Sequence, residues 1–270
     1  MNAEKGLGRQ VGWDGLRPLP LEAGVVYGPI FSRRLGRSLG LNILPTQHKV
    51  CSLDCVYCHY GRTDLRTVHP PSTIFPTVHE ILRSLEEALR QRPDLDCVTF
   101  SGNGEPTLHP YFRSVAFEVR RLLARLYPSA KVALFSNATT LSRSDVLEGL
   151  EYVDIPIMKL DAGDRETFAR VNRPAPDVDF DTVVTGIANL PNAVVQSLFV
   201  SGSASNVTDE ALASWMDKVA EIRPTAVQIY SIDYPVLSPD LSRVPPYMLR
   251  RIAEKVQAQT GVPAQAYWID

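Results

Sequence analysis

The sequence predicts an α/β fold, a partial (β/α)6 TIM-like barrel of parallel strands. Three observations predict it. Short apolar runs near 39–44, 96–100, 131–135, 153–160, 193–200 and 226–232 alternate with stretches of helical periodicity. A closed barrel takes about eight such units, so six leave the sheet open. Loops rich in Gly, Asn, Cys and charge follow several of these runs, where parallel α/β proteins bind their ligands.

The chain has 270 residues, 44% hydrophobic and 21% charged, which suits one large domain. Residues 1–24, mixed in charge with Gly and Pro, read as an extended lead-in to a domain over 25–270. No run of eighteen apolar residues occurs, so no membrane span is expected. Met1 to Gln10 has no apolar centre, so no secretion signal is expected. Four cysteines, clustered or isolated, point to a reducing compartment, the cytoplasm. A net charge of −2 disfavours nucleic acid as a partner and leaves a local basic patch open.

Each element has its own signal. Arg33, Arg34 and Arg37 sit among glycines before the first strand, Leu39 to Leu44, which delivers the chain to a cysteine loop. Val78, Ile81, Leu82, Leu85 and Leu89 recur at helical spacing behind Pro76. A strand follows over 96–100, then a helix over 111–126 and a strand over 131–135. A helix over 142–150 has Ser142 or Ser144 as cap. The strand over 153–160 contains Pro156. Helical pieces over 164–170 and 180–190 lead to the strand over 193–200. A helix over 208–222, a strand over 226–232, a helix over 246–260 and a possible strand over 264–269 complete the pattern.

The densest chemistry is Cys51-Ser-Leu-Asp-Cys55-Val-Tyr-Cys58. Thiolates this close repel unless a positive partner holds them, and soft sulfur selects zinc, copper(I) or iron–sulfur clusters. Zinc at a structural site wants a fourth ligand, for which His48, His59 and Cys97 are the choices. Buried reduced thiols are another reading, and an odd trio cannot pair internally as disulfides. Three thiolates without an evident fourth favour a four-iron cluster with one iron left open.

Cys-x3-Cys-x2-Cys with Tyr57 before the last cysteine resembles the signature of the radical S-adenosylmethionine (SAM) enzymes. Ser101-Gly-Asn-Gly-Glu-Pro-Thr resembles their Gly-Gly-Glu-Pro element, with Asn103 replacing a glycine. Residues 101–110, the segment 159–174 and the Arg-Arg-Leu-Gly-Arg-Ser-Leu-Gly lead-in are similar to the wyosine-synthase-like branch. The resemblance implies a [4Fe–4S] cluster on Cys51, Cys55 and Cys58 and SAM chelated to the open iron. It implies reductive cleavage of SAM to a 5′-deoxyadenosyl radical that abstracts hydrogen from a substrate. It also implies an external electron donor such as flavodoxin or ferredoxin.

Site residues follow. The resemblance implies Tyr57 against the adenine and Gly104 and Glu105 at the methionine ammonium, which a carboxylate and carbonyl groups suit. Ser136 and Asn137 reach a ribose or carboxylate, or cap a helix. Lys159 suits the methionine carboxylate and Asp161 a sugar hydroxyl, the two sharing a strand face. Arg33, Arg34 and Arg37 form a candidate clamp for an anionic substrate group. Gln196, Ser201, Gln228, Tyr230 and Asp233 are further inward candidates. Cys97 reads as a buried small hydrophobe.

The wyosine enzymes carry a second cluster on additional cysteines, which one remaining thiol cannot hold. A small-molecule or nucleotide-like substrate is therefore expected ahead of tRNA or another macromolecule. A non-catalytic zinc-binding interaction module is the expectation from a different class.

Overall fold

The computed structural model describes residues 18–91 and 94–269. Of the expected lead-in, 18–24 is irregular and the rest lies outside the described residues. Strands β1 (Val26–Ser32) and β2 (Gly36–Leu41) form an antiparallel hairpin. Strands β3 (Val50–Cys51) and β4 (Leu65–Arg66) pair separately, in parallel. The alternation then begins with α1 (Val78–Arg90), β5 (Cys97–Phe100), α2 (Phe112–Leu126) and β6 (Lys131–Ser136). It continues with α3 (Ser144–Leu150), β7 (Ile155–Lys159), α4 (Arg165–Asn172), α5 (Phe180–Ala188) and β8 (Val194–Gly202). It ends with α6 (Asp209–Ile222), β9 (Ala226–Ser231), β10 (Leu241–Arg243), α7 (Pro246–Thr260) and β11 (Ala264–Ala266).

The main sheet runs β1-β2-β5-β6-β7-β8-β9-β11, with β10 added on β8. Every neighbour pair from β2 to β11 is parallel, and helices fill each crossover. Among the described residues no pairing joins β1 to β11, so the sheet stays open. The partial barrel expected from the six runs is the architecture found, and the possible last strand is β11. The antiparallel β1 and β10 were not foreseen.

Capping explains the helix starts. Thr77, not Pro76, opens α1 through a reciprocal capping box with Glu80. Asp164, Asp179 and Thr208 cap α4, α5 and α6 by accepting a backbone N–H three residues on. Neither serine caps α3: its first-turn boundary is Arg143, with no side-chain cap, and Ser144 is already helical.

The strands read differently on their two faces. Leu39, Leu41, Val98, Phe100, Val132, Leu134, Met158, Val195, Phe199, Val227 and Ile229 join the helices in one apolar core. On α1 the stripe Ile81, Leu85, Leu89 is fully buried there, each such side chain contributing about 1.5–3 kcal/mol. Alternate residues Ser38, Gly40, Thr99, Ser101, Phe135, Ile157, Lys159, Gln196, Leu198 and Tyr230 turn the other way and line a cavity of about 830 Å³. No described helix is long and apolar enough to cross a membrane.

Candidate active site

Cys51, Cys55 and Cys58 all face this cavity and are free and half-buried. Cys97 differs: it is fully buried on β5, bonded to Val98 O and Thr99 Oγ1.

Backbone pairing sets the cysteine loop in place. Val50 N donates to Asn103 O (3.0 Å) and Glu105 N to Val50 O (3.0 Å). The turn 102–105 thus runs beside the short strand that carries Cys51. Gly104 sits at φ +142°, and a Cβ there would fall 1.8 Å from Val50 O. Only glycine allows that approach. Asn103, where the resembling element has glycine, is fully buried and staples Glu22 and Pro45 through its carboxamide. On its other side the loop docks on the end of α4: Val56 N donates to Val171 O and Asp54 N to Asn172 O, both at 3.0 Å.

The sulfurs have partners. Asn137 Nδ2 lies 3.5 Å from Cys51 Sγ, and Asn172 Nδ2 lies 3.3 Å from Cys55 Sγ. Lys49, almost fully buried, donates to Gly61 O at 2.6 Å. Burial opposes its ammonium, but Cys58, Cys51 and Cys55 together raise its pKa. Burial pushes the Cys51 thiol up to about 12, and burial with Asp161 raises that of Cys55. Such sulfurs ionise only against a positive partner. Among the described residues no three His, Cys, Asp or Glu side chains gather around one ion position. Fe–S clusters are instead ligated by thiolates spread over several irons. Three cavity-facing thiols with buried donors beside them fit such a cluster.

Glu105 is buried, and both oxygens of its carboxylate are held. Oε1 accepts from Thr107 N, Thr107 Oγ1 and Ser136 Oγ, and Oε2 accepts from Asn137 N at 2.6 Å. Burial raises its pKa against these bonds. Gly104, Glu105, Ser136 and Asn137 therefore form one brace joining the loops after β5 and β6, all four on the cavity.

The opposite wall is built from side chains. Lys159 Nζ stands 3.5 Å from Asp161 Oδ1, donates to Tyr230 Oη at 3.1 Å and lies 5.0 Å from the Tyr57 ring centre. Tyr230 Oη donates to Gln196 Oε1 at 3.1 Å, and Gln196 Nε2 donates to Gln228 Oε1 at 3.4 Å. β7 ends at Lys159, so Asp161 lies in the following loop, not on the strand. It is buried behind Tyr57, bonded to Tyr57 Oη, Asn172 Nδ2 and Leu198 N. Burial works against the Lys159 ammonium, but Asp161 foremost holds its pKa above the ordinary value.

The remaining expected residues divide. Arg33, Arg34 and Asp233 line the cavity; Gln228, Ser201 and Arg37 do not. Arg37 is spent outside, bidentate to Asp96 and paired to Asp94. Lys49 and Asn172 were missed from sequence. Lys49 was findable as the lysine two residues before Cys51, and Asn172 lies in the 159–174 segment without a motif of its own.

Comparison with known proteins bears on this arrangement. A GTPase Obg of Brachyspira hyodysenteriae is 33% identical over 162 residues, which are 60% of this chain and 22% of that protein. A UPF0026 protein of Methanocaldococcus jannaschii is 31% identical over 209 residues, 74% of this chain and 61% of that one. A UPF0026 protein of Synechocystis sp. is 30% identical over 205 residues, 76% of this chain and 74% of the relative. This chain therefore spans about a fifth and three fifths of the first two relatives. In fold it is similar to a radical SAM methyltransferase from Sphaerobacter thermophilus, with TM-score 0.64, 12% identity and coverage of 88% and 68%. It is also similar to TYW1 with a lysine-pyruvate adduct bound, with TM-score 0.56, 12% identity and coverage of 83% and 74%. Streptococcus suis SuiB bound to S-adenosylmethionine gives TM-score 0.55, 16% identity and coverage of 86% and 47%. A family model described as the Radical SAM superfamily matches residues 48–217, from just before the cysteine loop into α6. The chain belongs to the radical SAM superfamily, whose members use an iron–sulfur cluster and SAM.

Proposed function

We propose that this chain is a single-cluster radical SAM enzyme in which Cys51, Cys55 and Cys58 hold a [4Fe–4S] cluster and the substrate is a small molecule. When bound, the cluster supplies the electron that splits SAM into methionine and a hydrogen-abstracting 5′-deoxyadenosyl radical. The observation that carries this is the sharing of one cavity by three free thiols, a fixed carboxylate and a fixed ammonium. Glu105, pinned by Thr107, Ser136 and Asn137, presents negative charge to the ammonium of a bound amino acid. Lys159, held charged by Asp161, presents positive charge to its carboxylate. Tyr57, fixed by Asp161 and Asn172, offers a ring beside the cysteines for the adenine.

The test is anaerobic reconstitution with iron and sulfide, then dithionite and SAM. Formation of 5′-deoxyadenosine together with about four irons per chain is expected, and flavodoxin or ferredoxin should replace dithionite. Stoichiometric zinc with no iron would end the proposal and leave a zinc-binding module.

A further inference from the structure

We propose that Arg34 is the subsite for an anionic group, a carboxylate or a phosphate, on the small molecule this enzyme modifies. The proposal rests on the radical SAM reading above and narrows it to an anionic substrate.

The three arginines near the β1–β2 turn have different fates. Arg37 is bound to Asp96 and Asp94 outside the cavity. Arg33 pairs with Asp233 at 3.3 Å. Arg34 enters the cavity and finds rings, not carboxylates: its Cζ lies 5.4 Å from the Phe135 and Tyr230 ring centres and 5.8 Å from Tyr267. Those rings come from β6, β9 and the segment after β11. Arg34 Nη1 is buried with no hydrogen-bond partner. Asp233 cannot serve it well, because its two oxygens already meet Arg33 and, at 3.0 Å, Arg243.

A desolvated cation without a counter-ion is costly. Aromatic faces offset part of that, and guanidinium suits such stacking because it is planar and weakly hydrated. The unspent Nη1 and the positive charge together fit a carboxylate or phosphate oxygen. Burial lowers the Arg34 pKa without a carboxylate close enough to reverse it.

The position also separates this anion from SAM. Lys159 lies 5.4 Å from the same Tyr230 ring, but it is paired to Asp161 and lies over Tyr57. Arg34 shares the Tyr230 ring with Lys159 but otherwise meets Phe135 and Tyr267, whereas Lys159 meets Tyr57 and Asp161. An anion on Arg34 would therefore be held by a different set of side chains from the carboxylate that Lys159 would take.

The test titrates the reconstituted full chain by calorimetry with inorganic phosphate and, separately, acetate. Saturable binding of one of them is expected, and which one binds tells phosphate from carboxylate. Arg34→Gln should weaken that binding at least about tenfold while SAM affinity stays within about twofold. Arg34→Lys, which keeps the charge, should restore part of it and exclude misfolding as the cause. Arg37→Gln should bind as the wild type does. Binding unchanged in Arg34→Gln, no binding of either anion by the wild type, or parallel loss of SAM affinity would each overturn the assignment. So would binding of unfractionated tRNA that alone depends on Arg34. Failure of the wild type to form 5′-deoxyadenosine would instead strike the proposed reaction, with anion binding unaffected.

Discussion

The two walls of the cavity are built by different means. The wall under the cysteines is backbone work: β3 lies against the 102–105 turn through Val50, Asn103 and Glu105, with Gly104 inserted where no Cβ fits. The wall on β7 to β9 is side-chain work: Asp161, Lys159, Tyr230 and Gln196 hold one another. The first wall fails when an atom is added, the second when a charge is taken away. Of the four sulfurs, Cys51, Cys55 and Cys58 line this cavity and Cys97 on β5 does not.

The largest effect should come from the cysteines themselves. Cys55→Ala is expected to drop iron content and 5′-deoxyadenosine below detection while the circular dichroism spectrum persists. Cys97→Ala should keep both within about twofold and cost about 1 kcal/mol in urea denaturation, as for a small buried truncation. Equal loss of iron in the two variants would erase the distinction between them.

Next comes the backbone wall. Gly104→Ala places a methyl group 1.8 Å from Val50 O at φ +142°. Relief requires β3 to move, and Cys51 with it. A stability loss of about 4 kcal/mol or more, together with loss of iron, is expected. Gly261→Ala is the matched comparison: φ is +73° at a helix end with nothing within 4 Å, so about 1 kcal/mol is lost and iron loading is retained.

On the side-chain wall, Asp161→Asn leaves the Lys159 ammonium without its counter-charge. About 3 kcal/mol of stability should go, the usual result of breaking a buried pair, and SAM binding should weaken while iron remains bound. Loss of iron in this variant would mean that the two walls are not separable.

The outline of this molecule was legible because most of its strands are two-faced or buried. Alternation such as Leu39, Leu41 against Ser38, Gly40 needs no partner to be recognised. The hairpin strand β1 was not, since Ile30 and Phe31 are largely exposed and its register slips between Tyr27 and Ile30. It carries no apolar rhythm of its own. The site was legible where spacing encodes chemistry, at Cys51, Cys55, Cys58 and the 101–107 turn. It was illegible where chain crossings decide the contact. Asn172 meets Cys55 only because the cysteine loop docks on the end of α4. Arg33, Arg34 and Arg37 read as one cluster and were separated by partners two hundred residues away and more, as Arg33 with Asp233 and Arg34 with Tyr267 show.

That separation yields the smallest expected effect. Arg37 fixes Asp96 by side chain and backbone, and these bonds, side chain first, hold the Asp96 carboxyl down at about 2. A carboxyl depressed below its unfolded value of 3.8 stabilises the fold above that pH and loses the contribution as pH falls toward 2. In Arg37→Gln the backbone bond from residue 37 remains, so only part of the depression should vanish. Unfolding midpoints of the variant and wild type should therefore converge near pH 2 and separate slightly above pH 4. The gap at neutral pH should be small, because both partners are in water. Formation of 5′-deoxyadenosine should not change at any pH in that range where iron is retained. A loss of activity would put Arg37 back on the cavity wall, beside Arg34, and undo the sorting of these arginines by what each one touches.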